Sequence, residues 1–228
     1  MKLTAWNCQM AFRKDYLNFR NSIGPDIAVI TECEDEERLK NRVTFKEIIW
    51  KGMNANKGIG IFSFSDNYHL TLHDHYNEDI KDVIPVAVTG KHNFTLFACW
   101  AKKELYYIHG ITNSLEEYMG SISGDILIAG DLNANQIWRG DEDPDYTKFI
   151  GILEKEGIRS CYHEWCKEEH GKETRNTHYF RRDPDRGFHI DYCLASQNLL
   201  NCLAHVEIPE YGTWIEYSDH VPLSVIFS

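Results

Sequence analysis

The chain has 228 residues, of which 43% are hydrophobic, and a formal net charge of −11 at pH 7. The charge excludes a protein that coats nucleic acid through a broad basic surface, because that binding depends on Lys and Arg, although a local site is not excluded. The apolar content supports a substantial core, and no linker-like composition divides the chain, so we expect a single catalytic domain over residues 1–228. No apolar run has the length of a membrane span or a signal peptide, so we expect no membrane anchor.

Short segments rich in Ile, Val, Phe, Tyr and Thr recur along the chain, and Gly, Asn, Asp and Pro punctuate them. This pattern is typical of strands. Consecutive segments in the middle of the chain have no helix between them, which indicates antiparallel hairpins. The predicted strands are Lys2–Asn7, Asp26–Thr31, Phe45–Trp50, Gly58–Phe64, Tyr68–Tyr76, Ile84–Thr89, Phe94–Trp100, Tyr106–Ile111, Asp125–Ala129, Phe188–Ala195, Ala204–Ile208 and Pro222–Phe227.

Helical periodicity is rarer, and the predicted helices are Lys14–Ser22, Glu36–Asn41, Ser114–Ser121 and Tyr146–Glu156. The strands are too numerous for one open sheet, and the helices are too few for a fully parallel one. Two mixed sheets packed face to face, with helices outside, are the simplest arrangement that buries every apolar face. The sequence therefore predicts an α/β sandwich.

The seven cysteines are an odd number, and five lie in apolar strand-like runs, which is typical of reduced, buried thiols. We therefore expect a cytoplasmic protein. Cys161, His163, Cys166 and His170 have the ligand chemistry of a zinc knuckle, but their spacing departs from the usual pattern. The alternatives at this cluster are a zinc site and ordinary residues at a strand end and on a helix surface.

Several polar residues stand where apolar runs stop: Asn7, Glu32 and the Gly130-Asp131-Leu132-Asn133 tetrad. A fold that gathers strand ends brings these side chains together. Mg²⁺ usually takes one or two carboxylates together with water and substrate phosphate, so this set suits a divalent metal and a phosphate ester. The alternative interpretation of the tetrad is an Asx-type turn.

An aspartate and a histidine in separate segments complete the polar set. They are Asp191, within His189-Ile190-Asp191-Tyr192, and His220, within Ser218-Asp219-His220. A buried carboxylate that holds an imidazole fixes its tautomer and raises its basicity. The alternative is a structural hydrogen bond in the core.

The order of these motifs resembles the endonuclease/exonuclease/phosphatase superfamily. The matching segments are Trp6-Asn7, Thr31-Glu32, Gly58-Ile59-Gly60-Ile61-Phe62-Ser63, Ile108-His109, the Gly130 tetrad, His189-Ile190-Asp191-Tyr192 and Ser218-Asp219-His220, and they span nearly the whole chain. DNase I-like nucleases, abasic-site endonucleases, sphingomyelinases and inositol phosphatases belong to this superfamily. The resemblance implies a four-layer α/β sandwich of two packed mixed sheets flanked by helices, and a phosphodiesterase that uses Mg²⁺ or Mn²⁺.

The resemblance also implies roles for single residues. Glu32 is the principal metal ligand, with Asn7 beside it and Asp219 supporting the metal or the histidine loop. Asp131 orients or deprotonates the attacking water, and Asn133 stabilises the phosphorane. His220, oriented by Asp191, acts either as a base or as a phosphate-binding cation, and His109 contacts phosphate.

Three positions depart from the pattern of the abasic-site endonucleases or of the superfamily. His109 stands where those endonucleases place Tyr, and Gln9 stands where some have a second acidic ligand. These two differences favour a DNase-like or small-phosphodiester enzyme with one metal. His189 replaces an Arg that often precedes the Ile-Asp-Tyr motif.

Residues 172–186 carry a net charge of +2 and are the best candidate for a substrate-facing edge. Trp138 and Arg139 offer further charge and stacking. A DNA or RNA backbone is therefore the first substrate hypothesis. The second is a small phosphodiester, phospholipid or sugar phosphate, because acidic runs beside Glu32 and Asp131 repel a long polyanion. A third hypothesis is a binding module without activity.

The proposed substrate-binding residues are Trp138, Arg139, Thr177, Phe180, Arg181 and Phe188. No obligate protein partner is expected.

Overall fold

A computed structural model describes residues 1–138 and 145–228, and the strands of these residues form two six-stranded sheets. Their strands are β1 (Lys2–Asn7), β2 (Ile27–Cys33), β3 (Glu47–Asn54), β4 (Lys57–Ser63), β5 (Tyr68–Leu72), β6 (Val83–Gly90), β7 (Phe94–Trp100), β8 (Ile126–Asp131), β9 (Ile158–Ser160), β12 (Asp191–Ser196), β13 (Leu203–Glu207) and β14 (Leu223–Phe227). The first sheet has the order β13-β14-β1-β2-β4-β3, and the second has the order β5-β6-β7-β8-β12-β9. A separate hairpin contains β10 (His178–Tyr179) and β11 (Gly187–Phe188).

Both sheets are mixed. β1 and β2 are parallel in the first sheet, and β7 and β8 are parallel in the second, whereas the other pairs are antiparallel. Parallel neighbours end at the same edge of a sheet. The carboxyl ends of β1 and β2, and those of β7 and β8, are therefore adjacent in pairs.

The helices are α1 (Phe12–Ser22), α2 (Glu36–Leu39), α3 (Ile108–Met119), α4 (Asp145–Lys155), α5 (Cys161–Cys166) and α6 (Gln197–Asn201). Two apolar clusters fix the layers. One joins the two sheets and α1, where the rings of Trp6 and Phe19 stack at 5.4 Å. The other joins the second sheet to α3 and α4, through Phe97, Tyr118 and Phe149. The predicted four-layer sandwich is confirmed.

One predicted strand is wrong. Tyr106 and Tyr107 form a turn, and the rest of the segment begins α3. The buried residues Ile108, Ile111, Leu115 and Tyr118 of α3 have helical spacing. The β-branched and aromatic residues of this segment imitate a strand over six positions, and the helical period is visible only over twelve. The short elements β9, α5 and α6 were not predicted either. Among the described residues, no helix is both long and apolar enough to span a membrane.

Candidate active site

Two strand ends from opposite sheets meet at an amide. Asn7 ends β1, and its Nδ2 lies 2.9 Å from Oδ2 of Asp131, the last residue of β8. The same Nδ2 lies 3.5 Å from Oε1 of Glu32 in β2. The packing of the two sheets therefore brings together three side chains that the sequence separates by up to 124 residues.

The side-chain amide of Asn7 has a defined orientation. Its Oδ1 accepts a hydrogen bond from the backbone N–H of Gln9 at 3.0 Å, which turns the NH₂ group toward the carboxylates. An amide coordinates a hard cation through its oxygen, and Oδ1 keeps a second lone pair beside this hydrogen bond. Asn7 therefore holds the carboxylates of Glu32 and Asp131, and its place among the metal ligands stays a prediction.

Asp131 is fully buried and held by the turn that follows it. The backbone N–H of Asn133 donates to Oδ1 at 2.9 Å, and Nδ2 of Asn133 donates to Oδ2 at 3.1 Å and to the carbonyl of Ala101 at 3.0 Å. Gly130 has φ 144°, and a Cβ atom there would lie 1.9 Å from the carbonyl oxygen of Cys99. Only glycine fits at this position, so the tetrad predicted from the sequence has a steric cause.

His220 and Asp191 form a buried ion pair, with Nδ1 of His220 2.8 Å from Oδ2 of Asp191. The hydroxyl of Ser218 donates to the carbonyl of Asn7 at 2.7 Å and accepts the backbone N–H of His220 at 3.0 Å. These bonds tie the histidine loop to the end of β1. Asp131, Asp191 and His220 then lie within 4.8 Å of one another through one ligand atom each.

The electrostatics of this group depend on burial and on neighbouring charge. Burial, and next the negative charge of Asp191, raise the pKa of Asp131 to about 7. Burial alone would lower the pKa of His220, but Asp191, and then Asp131 and Asp219, raise it to about 10. At neutral pH the site therefore contains an imidazolium next to a carboxyl group poised to exchange a proton.

His178 belongs to this site although no sequence motif indicates it. Its ring lies 4.5 Å from the ring of His220, and its Nε2 lies 3.8 Å from Oδ2 of Asp219. Oδ1 of Asp219 lies 4.0 Å from Nε2 of His220. Burial, followed by the charge of His220, lowers the pKa of His178 to about 4, so this imidazole is neutral at physiological pH. Asp219 is thus a neighbour of both histidines, and the isolated bridge between β10 and the histidine loop produces the arrangement.

The donor set fits a divalent cation at Glu32. Glu32 adopts φ 60°, a strained conformation for a non-glycine residue, and its Oε1 already contacts the ammonium of Lys57 at 3.2 Å. The side chain is 18% exposed, so a cation and its water can reach it. Glu32, Asp131 and Asp219 are oxygen donors of the kind that Mg²⁺ and Mn²⁺ take.

Part of the acidic run beside Glu32 is paired within the fold. Glu34 is buried and forms an ion pair with Arg13, and Asp35 caps α2 by accepting the backbone N–H of Arg38 at 3.0 Å. Glu36 and Glu37 remain exposed. The second acidic run, residues 141–145, falls almost wholly outside the described part of the chain. The pairing of Glu34 removes one of the charges that would repel a polyanionic substrate, and the exposed carboxylates keep the others.

An aromatic cluster extends from His220 to the surface. It consists of His178, Phe188, Phe180 and Trp138, with ring centroids 6.3 Å apart between His178 and Phe188, and 5.2 Å apart between Phe188 and Trp138. Trp138 is 46% exposed and Phe180 is 39% exposed. Arg181 and Arg186 lie over Phe180 at 5.3 and 4.4 Å. Four of the six predicted substrate-binding residues therefore lie together, and a fifth, Arg139, lies outside the described residues.

The sixth predicted substrate-binding residue, Thr177, lies in the interior and not on the substrate-facing surface. It is fully buried, and its Oγ1 accepts the backbone N–H groups of Ile190 at 3.0 Å and Asp191 at 2.9 Å. A hydroxyl group in this position supports Asp191 and does not reach a substrate.

His109 is exposed in the first turn of α3 and does not end a strand. That end of α3 lies close to Asn133, because Tyr107, Ile108, Asn133 and Trp138 line a cavity of about 100 Å³. The residue at the end of β7, whose Cα pairs with Asp131, is Trp100. His109 therefore lies on a helix near Asn133, and both its contact with phosphate and its comparison with the Tyr of abasic-site endonucleases stay predictions.

A lysine cavity of about 320 Å³ adjoins Glu32 on the other side of the site, and the sequence analysis missed it. Nζ of Lys57 lies 5.1 Å from the Trp100 ring, and Nζ of Lys102 lies 4.8 Å from the same ring. Lys51 lies over Tyr76 at 4.5 Å. The lysines come from three separate hairpins and loops, so they do not form a run of basic residues in the sequence. The cavity is lined by Lys51, Lys57, Lys81, Lys102, Tyr76, Trp100, Glu78 and Glu104, among others.

Solved structures with the same fold cover nearly the whole chain. They include the 3′ phosphatase NExo from Neisseria bound to a product DNA hairpin (20% identity, TM-score 0.68, 100% of this chain and 99% of that one). An AP endonuclease from Archaeoglobus fulgidus has 15% identity and a TM-score of 0.72, covering 100% and 99%. The AP endonuclease LMAP from Leishmania major has 13% identity and a TM-score of 0.74, covering 98% and 86%. At these identities the likeness shows the fold.

A search of curated proteins finds no match. The model of the Endonuclease/Exonuclease/phosphatase family matches residues 4–220, a span that includes every site residue described above. The chain therefore belongs to the Endonuclease/Exonuclease/phosphatase family.

Proposed function

We propose that this protein is a divalent-metal-dependent nuclease that hydrolyses a phosphodiester by in-line attack of water. The observation that carries the proposal is the buried group of Asp131, Asp191 and His220, held against Asn7 and Glu32 at the ends of strands from both sheets. The family supports the reaction class. The solved structures support the substrate class, because they include a DNA-bound phosphatase and two AP endonucleases.

Mg²⁺ or Mn²⁺ bound at Glu32, with Asp219 as a further oxygen donor, would supply positive charge to the phosphate and the leaving oxygen. Asp131 takes the proton of the attacking water, because a carboxyl group with a raised pKa is the stronger base. Asn7 and Asn133 direct their NH₂ groups at Asp131. We assign them to the charge of the pentavalent transition state, for which each would exchange one of its present hydrogen bonds for a bond to a phosphate oxygen.

His220 acts as a phosphate-binding cation. Its pKa of about 10 means that the imidazole is already protonated at neutral pH and cannot accept the proton of water. The carboxylate of Asp191 stabilises the positive charge of His220 and fixes the orientation of its ring. Nδ1–H donates to Oδ2 of Asp191, so Nε2 remains for the substrate. Of the two roles that the resemblance leaves open for His220, the buried ion pair supports the phosphate-binding one.

Nucleic acid is preferred over a small phosphodiester because two surfaces adjoin the site. The lysine cavity offers ammonium groups beside Glu32, and the aromatic cluster offers exposed ring faces beside His220. A polynucleotide has phosphates and bases to use both, whereas a small phosphodiester needs neither. Abasic DNA is retained as a substrate to test, because two of the solved structures with the same fold are AP endonucleases.

The decisive experiment incubates the protein with Mg²⁺ or Mn²⁺ and single-stranded DNA, duplex DNA, RNA, duplex with an abasic site, and DNA with a 3′ phosphate. An EDTA control and a small aryl phosphodiester complete the panel. We expect metal-dependent turnover of a nucleic acid that falls steeply with salt. Turnover of the aryl ester with a flat salt dependence, and no turnover of any nucleic acid, would reject the proposal in favour of a small-molecule phosphodiesterase.

We also propose a reducing, cytoplasmic location. All seven cysteines are free thiols in the structure, and five of them are buried.

A further inference from the structure

Three potential metal ligands lie together outside the Asp131–His220 site. His163 belongs to α5, and His170 and Glu173 belong to the segment that follows it. One ligand atom of each lies within 4.8 Å of the others. Nε2 of His163 is 3.0 Å from Oε1 of Glu173, and the two imidazole rings stack with centroids 3.7 Å apart. The side chains of His163 and Glu173 are only 8% and 4% exposed, so this is a buried group and not a patch of surface charge.

Hydroxyl groups hold the far side of both rings. Oγ of Ser160 lies 2.7 Å from Nδ1 of His163, and the hydroxyl of Tyr146 lies 2.9 Å from Nδ1 of His170. Metal-binding histidines usually have their second ring nitrogen fixed by a hydrogen bond in this way. The opposite nitrogen, Nε2, is then the one available to a metal. Glu173 is fixed as well, because Oε1 accepts the N–H of Gly171 at 2.9 Å and Oε2 accepts from Asn135 at 3.2 Å.

A fourth imidazole beside the group has an unsatisfied nitrogen. His189 is 2% exposed, its ring lies 5.9 Å from that of His163, and its Nε2 has no hydrogen-bond partner among the described residues. Its Nδ1 bonds the carbonyl of Arg175 at 2.9 Å. A buried polar atom without a partner is costly, and in native structures it often indicates an ion or water that belongs there.

We propose that His163, His170 and Glu173 bind one transition-metal ion of the Zn²⁺ type, with water completing the coordination and His189 adjacent. Two imidazoles and a carboxylate suit Zn²⁺, Co²⁺ or Ni²⁺ and do not suit Mg²⁺, which prefers oxygen. The site is therefore chemically distinct from the one at Glu32.

The ligand set differs from the one that the sequence suggested. Cys161 is fully buried in the core between the sheets, and Cys166 is exposed at the end of α5. Neither sulfur belongs to the group of ligand atoms within 4.8 Å. The histidines of the predicted zinc cluster are retained, and a glutamate ten residues after His163 replaces its cysteines.

The proposed ion lies where it would stabilise the positions of active-site residues. Residues 167–177 connect α5 to Thr177, whose hydroxyl supports Asp191, and Asn135 connects Glu173 to the loop after Asp131. An ion bound by His163, His170 and Glu173 would fix both the segment that leads to Thr177 and the loop after Asp131, without contacting Asp131, Asp191 or His220. The proposal stands independently of the nuclease function, because metal binding itself is measured.

The experiment titrates the full-length, EDTA-stripped protein with Co²⁺ in excess Mg²⁺ and follows visible d–d absorption. We expect one Co²⁺ per chain, displaced by one equivalent of Zn²⁺. Glu173→Gln and His170→Ala should each weaken binding by at least ~10-fold. Zn²⁺ should raise the melting temperature of the unmodified protein but not that of Glu173→Gln, whose side-chain oxygen can still accept the bond from Gly171.

Three matched variants serve as controls. Glu32→Gln disables the candidate magnesium site, Cys166→Ser removes the nearest exposed thiol, and His205→Ala removes an exposed imidazole elsewhere. Co²⁺ binding that survives all three supports the proposal. Loss of binding in Glu32→Gln or Cys166→Ser, unchanged binding in Glu173→Gln, or no Co²⁺ binding in the unmodified protein would each overturn it.

Discussion

The two surfaces beside the active site differ in the chemistry they offer. The lysine cavity reaches Glu32 through Lys57, and two of its lysines lie over the ring of Trp100. The aromatic cluster reaches His220 through His178 and ends at the exposed ring of Trp138. Ammonium groups bind phosphate and respond to salt, whereas ring faces stack on bases and respond little. The difference suggests that a single strand crosses the site with its backbone toward Glu32 and a base toward Trp138.

The centre between the surfaces is the place where substitution should have the largest effect. Asp131→Asn removes the base and should lower kcat by at least ~10²-fold, on DNA and on an aryl phosphodiester alike. A comparable loss on both substrates, measured in steady-state assays, shows that the centre serves whichever surface holds the substrate. Unchanged kcat would refute the role of Asp131.

The same variant provides a control for folding. The folded-state pKa of Asp131, about 7, lies above its ordinary value of 3.8, so its contribution to stability is present at low pH and is lost as pH rises through about 7. Without metal at pH 8, Asp131→Asn relieves the repulsion by Asp191 and should melt no lower than the unmodified protein. A large drop in melting temperature would attribute the lost activity to misfolding.

Trp138→Ala should have the next largest effect, because it removes the exposed end of the aromatic cluster. Stacking of a base on an aromatic ring is worth about 1–3 kcal/mol, so kcat/KM on single-stranded nucleic acid should fall by about 5- to 160-fold. The salt dependence and the aryl ester should be unaffected. Trp165→Ala is the matched control, since Trp165 is also exposed (42%) but lies on α5 against His205. An equal loss in both variants would exclude a specific stacking role.

The double variant Lys51→Gln/Lys102→Gln tests the lysine cavity. We expect about a 10-fold loss of kcat/KM at low salt and a shallower salt slope, by about one unit for each phosphate contact removed. Lys91→Gln, in the exposed turn between β6 and β7, should change neither. If the salt slope stays as steep as in the unmodified protein, the substrate backbone does not enter the cavity, and the assignment of the two surfaces is wrong.

The two surfaces also differ in how far the sequence predicted them. Trp138, Phe180 and Phe188 were predicted because they adjoin recognisable motifs, and the proposed catalytic residues Asp131, Asn133 and Asp191 because they lie at or beside a strand end. The lysine cavity was missed because the hairpin that contains Lys51 and Lys57 meets the loop that contains Lys102 only in the folded chain. His178 was missed for the same reason, since its contact with His220 arises from an isolated bridge.

The remaining differences between the sequence-based predictions and the structure have two causes: local sequence patterns that mislead, and single hydrogen bonds that form only in the folded chain. The sequence predicted the two-sheet architecture because strand patterns are short and dense, but it misassigned residues 106–111, where the helical period extends beyond the window that looked like a strand. It also could not show that Thr177 supports Asp191 or that Asn7 turns its NH₂ group inward, because both depend on single hydrogen bonds.

The smallest expected effect is a shift in pH dependence, and it separates the role of His220 from that of the two surfaces. With the pKa of Asp131 about 7 and that of His220 about 10, kcat/KM should rise as Asp131 loses its proton and fall as His220 loses its charge. Asp191 raises both pKa values, so Asp191→Asn should move both limbs of the profile to lower pH. Trp138→Ala and the lysine double variant should leave both limbs in place. The measurement is a pH–rate profile of each variant, together with NMR titration of the His220 imidazole. An alkaline limb that does not move in Asp191→Asn would mean that the charge of His220 is not what holds the phosphate.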